Sequence, residues 1–210
     1  MARALALLVL AVMISWPALG QQPQTAGVVD RLVGAATATR GGIGLPLSDG
    51  MVVLVGDKIA TGDATRLRLR LISGAAVVLG DNSSITVEAQ EAKRGGHTVL
   101  EFFHGVFLAV TSSVSDAEVP AEPPAEPMEI RTPNAVLGIR GTTVWGEQQQ
   151  DHLGVIMLSG KGVVVTAPTG MVTLTAPLEG TDVRTGKAPT TPKQWGQKRI
   201  DAANRSVAFE

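Results

Sequence analysis

The sequence predicts an all-β domain: many short strands in a solenoid-like or roll-like stack, with a β-sandwich as the alternative and one short helix near the C-terminus. Three observations carry this. The first is a two-residue alternation, clearest at Arg66–Leu71, which reads RLRLRL. A strand sends successive side chains to opposite faces, so Leu67, Leu69 and Leu71 go to one side and three arginines to the other. The second is recurrence. Short runs rich in Val, Ile, Thr and Phe follow at Val77–Leu79, Ile85–Val87, Val99–Phe103, Val106–Val110, Ala135–Ile139, Val155–Leu158, Val163–Thr166 and Met171–Thr175, the residues that pleated sheets favour. The third is punctuation. Asp49-Gly50, Gly56-Asp57, Gly62-Asp63, Ser73-Gly74, Gly80-Asp81, Gly95-Gly96 and Ser159-Gly160 separate these runs with residues suited to turns.

The two ends follow other rules. Met1, Ala2 and Arg3 make a short positive start, Ala4–Ile14 is apolar, and Ala18 and Gly20 are small residues before Gln21. That layout is a secretory signal cut after Gly20. Its apolar run is far short of the roughly 20 residues that cross a bilayer, so a spanning anchor is not expected. The domain is then expected over residues 21–190, in the periplasm or outside the cell, with a tail at 191–210. In that tail Gln194–Val207 has helical spacing, with Ile200, Ala203 and Val207 on one side and Trp195 and Phe209 placed to pin it. Inside the domain, Ser115–Pro127 carries four prolines and four acidic residues. Proline and charge resist strand formation and burial, so this segment is expected as an exposed loop.

Composition excludes several functions. There is no cysteine, hence no disulfide, thiolate metal site or cysteine nucleophile. The formal net charge is −1, and 3% of residues are aromatic, which provides neither the field nor the stacking surface that nucleic-acid binding uses. The three histidines, His97, His104 and His152, form no metal-binding pair. The serine elbow G-x-S-x-G is absent. Leu158–Gly162 resembles neither a P-loop nor that elbow and reads as a hairpin turn, and Gly42-Ile43-Gly44 lacks the third glycine of a dinucleotide site. The isolated Gly-Asp corners do not converge enough oxygens for a hard cation. No enzyme activity, cofactor or metal is expected. The features that remain are Arg131-Thr132-Pro133-Asn134, a rigid bend between strands, and Arg140-Gly141-Thr142, where glycine permits a kink and the guanidinium could brace carbonyls or a carboxylate.

These residues, in this order, resemble the FecR-type periplasmic domain family. The pattern opens with a strand and an arginine at Gly34–Arg40. It continues through Gly56-Asp57-Lys58-Ile59-Ala60-Thr61-Gly62, the alternating strand and turn at Leu67–Gly74, and Gly105 between two β runs. Thr132-Pro133, then Arg140-Gly141-Thr142, and a closing hairpin around Gly160–Val165 complete it. The resemblance implies an all-β, non-catalytic domain, with Gly56, Asp57, Thr61, Gly62, Thr132, Pro133, Arg140, Gly141 and Thr142 as its structural motif. Members in iron-uptake signalling are anchored in the inner membrane and relay a signal to a cytoplasmic sigma factor. The sequence shows no cytoplasmic segment or spanning helix of that kind, so a stand-alone exported module is expected.

The expected role is protein contact or sensing in the cell envelope, with an envelope protein as partner, an edge strand as a possible acceptor of a partner strand, and no nucleic acid. An alternative is an envelope glycan or polysaccharide binder, with Arg66, Arg68 and Arg70 as the interaction face. A hydrolase would need histidines and carboxylates distant in sequence to converge.

Overall fold

A computed structural model describes residues 23–90, 97–111 and 127–209. The expected signal, residues 1–20, and all but the last residue of the Ser115–Pro127 loop lie outside the described residues. Seventeen strands and one helix are present among the described residues. They are β1 (Thr25–Val33), β2 (Ala36–Arg40), β3 (Ile43–Pro46), β4 (Val52–Leu54), β5 (Lys58–Thr61), β6 (Arg66–Leu71), β7 (Ala76–Leu79), β8 (Ser84–Gln90) and β9 (Thr98–Val110). There follow β10 (Met128–Arg131), β11 (Val136–Ile139), β12 (Thr142–Gln148), β13 (His152–Gly160), β14 (Val163–Ala167), β15 (Gly170–Leu174), β16 (Glu179–Arg184), β17 (Lys193–Gln194) and α1 (Gln197–Val207).

The strands form two layers that share β9. One layer, sheet A, runs β4–β1–β6–β7–β9–β12–β13–β16–β17. The other, sheet B, runs β3–β2–β5–β8–β9–β10–β11–β14–β15. The chain visits the layers in turn, one strand or hairpin at a time, which is a roll open at both ends. Every pairing is antiparallel except β9 with β10. The two runs expected at Val99–Phe103 and Val106–Val110 are a single strand. Its first half pairs in sheet B with β8, and its second in sheet A with β7 and β12. Gly105 makes the transition at φ +98°.

The core follows from the alternation. Leu67, Leu69 and Leu71 are 3% exposed or less. They meet Ile59, Ile85, Leu100, Phe102, Phe107, Leu137, Val155 and Val165 between the layers. Phe102 and Phe107, on the two halves of β9, pack edge to face with centroids 4.7 Å apart, a favoured aromatic geometry.

Buried hydroxyls organise the crossovers between layers. Thr65 Oγ1 accepts from the Ala35 amide and donates to its carbonyl. Thr61 Oγ1 donates to the Gly80 carbonyl at 2.6 Å and accepts from the Ser83 amide. Ser83 Oγ accepts from the Val106 amide. Thr111 and Thr142 exchange side-chain and backbone bonds, and Thr142 Oγ1 donates to Gly162 O and accepts from the Lys161 amide. Where the chain changes layer the ladder lapses, and these side chains satisfy backbone groups that burial would leave unpaired. A Cβ on Gly105 would fall 2.3 Å from Ser83 Oγ, so glycine is required there.

The segment expected as a closing hairpin at Gly160–Val165 is a crossover. β13 pairs with β12 and β16 in sheet A, and β14 with β11 and β15 in sheet B. Gly160 and Gly162, at φ +116° and +152°, carry the chain across against Thr142. α1 begins at Gln197, three residues later than expected, and Ile200, Ala203 and Val207 are its buried side.

Candidate functional site

The Gly-Asp motif forms a clasp. Gly56 turns at φ +87° and delivers Asp57 to the interior, where its side chain is 1% exposed. Arg40 donates to it through Nε at 2.8 Å and Nη2 at 2.7 Å, and the Leu54 amide adds a third bond at 2.8 Å. Burial pushes the Asp57 carboxyl up. The Arg40 hydrogen bonds, the Leu54 amide and the Arg40 charge outweigh that and hold it below the usual carboxylate range. Asp57 is thus more than a turn former, since it ties β2 to the β4–β5 corner. Ile59 fills the core and Thr61 holds the Gly80–Ser83 crossover.

Thr132-Pro133 closes the β10–β11 hairpin. The Thr132 hydroxyl donates to Ala135 O at 2.9 Å and accepts from the Ala135 amide. Asn134 reaches the opposite layer, where it donates to Thr185 Oγ1 and accepts from Gln148 Nε2 at 2.6 Å. In Arg140-Gly141-Thr142, Thr142 is the buried organiser. The Arg140 carbonyl shares the single Thr142 hydroxyl hydrogen with Gly162 O, at 3.0 Å from Oγ1, while its side chain is exposed and has no polar partner among the described residues. The expected guanidinium brace is therefore absent from its place: a hydroxyl fills that role.

The arginine face of β6 is largely compensated. Arg68 and Arg70 pair with Asp30 at 2.6 and 3.3 Å, and Arg66 with Asp81 at 3.4 Å. Arg68 and Arg31 also lie over the Phe209 ring.

Beside this face lies the seat of the C-terminal helix, whose buried side the sequence marks but whose place on the sheet it does not. A transverse row on the outside of sheet A runs Arg68, Val78, Leu108, Trp145, Ile156, Gly180. α1 lies on its apolar part, and Val78, Val106, Trp145, Ile156, Trp195, Ile200, Ala203 and Val207 form a second buried cluster there. Glycines make the seat. A Cβ on Gly80 would meet Ser206 O at 2.8 Å, on Gly154 the Arg199 guanidinium at 2.8 Å, and on Gly180 the Trp195 indole at 2.2 Å. Polar contacts latch the helix. Arg199 donates two bonds to Asp182, at 3.0 and 2.5 Å, and stacks over Trp195 at 3.4 Å. The Trp145 indole donates to Ser206 Oγ at 3.0 Å. His152 Nε2 lies 3.0 Å from Asp182 Oδ1. Burial pushes the Asp182 carboxyl up, and Arg199, then His152, pull it below its usual range.

His152–Asp182 is the one place among the described residues where a histidine lies within hydrogen-bond distance of a carboxylate. Both Asp182 oxygens serve Arg199, and the groove beside it, lined by Gly196, Gln197, Lys198, Arg199 and Ala202, brings no hydroxyl or thiol nucleophile. His97 lies 3.7 Å from Glu129 on an exposed edge, and His104 is exposed at the β9 bend. No group of three His, Asp or Glu able to hold a metal occurs among the described residues.

The ordered motif from Asp57 to Gly160 falls within the match to a known family. The family model described as FecR protein matches residues 57–161, half of the chain. The chain belongs to the FecR family. The FecR segment opens on Asp57 itself and contains Val78, Gly80, Leu108, Trp145, Gly154 and Ile156 of the α1 seat, whereas Gly180, Asp182, Trp195 and α1 lie beyond it. Two crystal structures of a protein named a putative anti-sigma factor, from Parabacteroides distasonis, share the fold. Their TM-scores are 0.52 and 0.53 at 18% identity, over 69% of this chain. The chain spans 62–63% of those chains, less than two thirds of their length. No curated protein matches it.

Proposed function

We propose that this chain is a non-catalytic, exported FecR module that senses or signals in the cell envelope by contact with a protein. The observation that carries the reading is the FecR match over the β-body. The likeness of fold to a protein named a putative anti-sigma factor favours a regulatory role for the same architecture. The chemistry of the site agrees, because its bidentate ion pairs are spent on structure: Arg40 on Asp57, Arg199 on Asp182. The β6 face, where Arg66, Arg68 and Arg70 share Asp81 and Asp30, gives less to a polyanionic glycan than three free guanidinium groups would. Export rests on the first twenty residues and places the module in the periplasm or outside the cell.

The test has two parts. Fractionation of cells producing the full chain, with N-terminal sequencing, should recover an envelope form that starts at Gln21. Crosslinking in those cells should yield a discrete adduct with one envelope protein. A chain retained intact in the cytosol, or the same random adducts as an unrelated exported β-domain, would refute the proposal.

A further inference from the structure

The seat under α1 is more elaborate than a cover for stray apolar surface requires. Three glycines from β13, β16 and the end of β7 remove side chains where the helix segment runs. Between them the row Val78, Leu108, Trp145, Ile156 provides an apolar floor. The helix meets it with Ile200, Ala203 and Val207, and the small Ala203 lies at the centre. This is a groove shaped for an amphipathic helix with a small residue mid-way, the helix-in-groove mode of recognition.

The occupant is weakly held by its own sequence. α1 has 11 residues, below the roughly 12–15 that an isolated helix needs to persist in water. Gly196 caps it without a side-chain bond, and its first turn holds no acidic residue, while Lys198 and Arg199 sit near the positive end of the helix dipole. It therefore stays helical because it is seated, and it is seated by the apolar side plus the Arg199–Asp182 and Trp145–Ser206 latches. The groove floor belongs to the FecR-matched segment and the occupant does not.

We infer that the outer face of sheet A is a helix-binding groove, that α1 is its internal occupant, and that release of the Arg199 latch frees the groove for an amphipathic helix of a partner protein. The partner part rests on the contact function proposed above; the exchange of α1 in and out of the groove does not. A matching partner helix carries apolar residues at the spacing of Ile200, Ala203 and Val207, a small residue in the middle position, and a cation placed to take Asp182.

The experiment uses the full chain as the cell processes it, its Arg199→Ala variant, and as probe a labelled peptide of residues 196–210, which carries no tryptophan. Trp145 and Trp195 both line the groove, and the remaining tryptophan is Trp16 in the first twenty residues, so indole emission reports on the groove. Hydrogen exchange should show the α1 amides opening without the β-core amides, about five- to tenfold faster in Arg199→Ala, the loss of a half-exposed charged hydrogen-bond pair. The peptide should bind Arg199→Ala more tightly than wild type and shift its emission. If α1 and the core exchange together in both proteins, the helix is a fixed part of the body and the inference fails. If α1 opens alone but the peptide does not bind, the groove does not exchange helices and the inference fails as well. Peptide exchange without any envelope partner in the crosslinking experiment would keep the groove and discard the contact function.

Discussion

Two arginine–aspartate clasps hold this molecule, and they do different work. Arg40–Asp57 lies at a corner of the β-body, with the Asp57 side chain 1% exposed and a backbone amide as third donor. Arg199–Asp182 ties a helix to a sheet, with the Asp182 side chain 23% exposed and a histidine as third neighbour. The same bidentate pairing is part of the fold in one place and a fastening on top of the fold in the other. Burial makes the difference, because a carboxylate shut away from water must keep its partner, whereas one at the rim can be rehydrated.

Acid removes both clasps and should have the largest effect. Both carboxyls titrate below the ordinary aspartate value of about 3.9. As pH falls the unfolded chain takes up these protons before the folded one does. The stabilisation is therefore complete above pH of about 4 and drains away as pH falls through the lower folded values. Urea unfolding followed across that range should show the midpoint dropping as the medium turns acid, and a chain carrying Asp57→Asn and Asp182→Asn should lose part of that slope, the rest including Glu179, which the Thr175 and Ala176 amides also hold low.

Arg40→Ala separates the two clasps. It leaves a buried carboxylate with only the Leu54 amide, and should cost about 2–3 kcal/mol, less than a fully buried break because Arg40 itself is half exposed. The whole unfolding transition should shift to lower urea. Asp182→Ala should cost about 1 kcal/mol, given its partial exposure, and should show first in the tryptophan emission while the far-ultraviolet strand signal holds. If its effect on the global transition matched that of Arg40→Ala, the distinction between body and fastening would be wrong. Smallest of all, Arg140→Ala should change stability by less than about 0.5 kcal/mol, as surface substitutions do, while Thr142→Val at the same crossover should cost clearly more in the same unfolding assay, since it strips partners from Gly162 O and the Lys161 amide.

The contrast also separates what was readable in advance. Asp57 stands in a motif, Gly-Asp-x-Ile-x-Thr-Gly, whose turn glycine, apolar Ile59 and Thr61 are local signals, and the family resemblance names it. Asp182 has no such signal: Glu179–Arg184 has no strong alternation, and its partners Arg199 and His152 are distant along the chain. The glycines came nearest to a clue, since Gly146, Gly154 and Gly180 inside strands imply a close approach of something. One admits the Phe107 ring and two admit the α1 segment. Arg140 shows the opposite error. Its place beside a glycine kink suggested a brace, yet the neighbouring hydroxyl was shorter, already on the backbone, and easier to bury without a charge.

By itself, the sequence determined the strand periodicity, the faces that Leu67, Leu69, Leu71, Ile200, Ala203 and Val207 would bury, and the points at which the chain must turn. Those properties are local, because side-chain direction repeats every two residues in a strand and positive φ belongs to glycine. Only the tertiary structure decided which layer each strand joins, that Gly160–Gly162 is a crossover, and that Asp182 meets Arg199 on the back of sheet A. These depend on pairing register between segments far apart along the chain, where one residue of slip would carry every side chain to the other face.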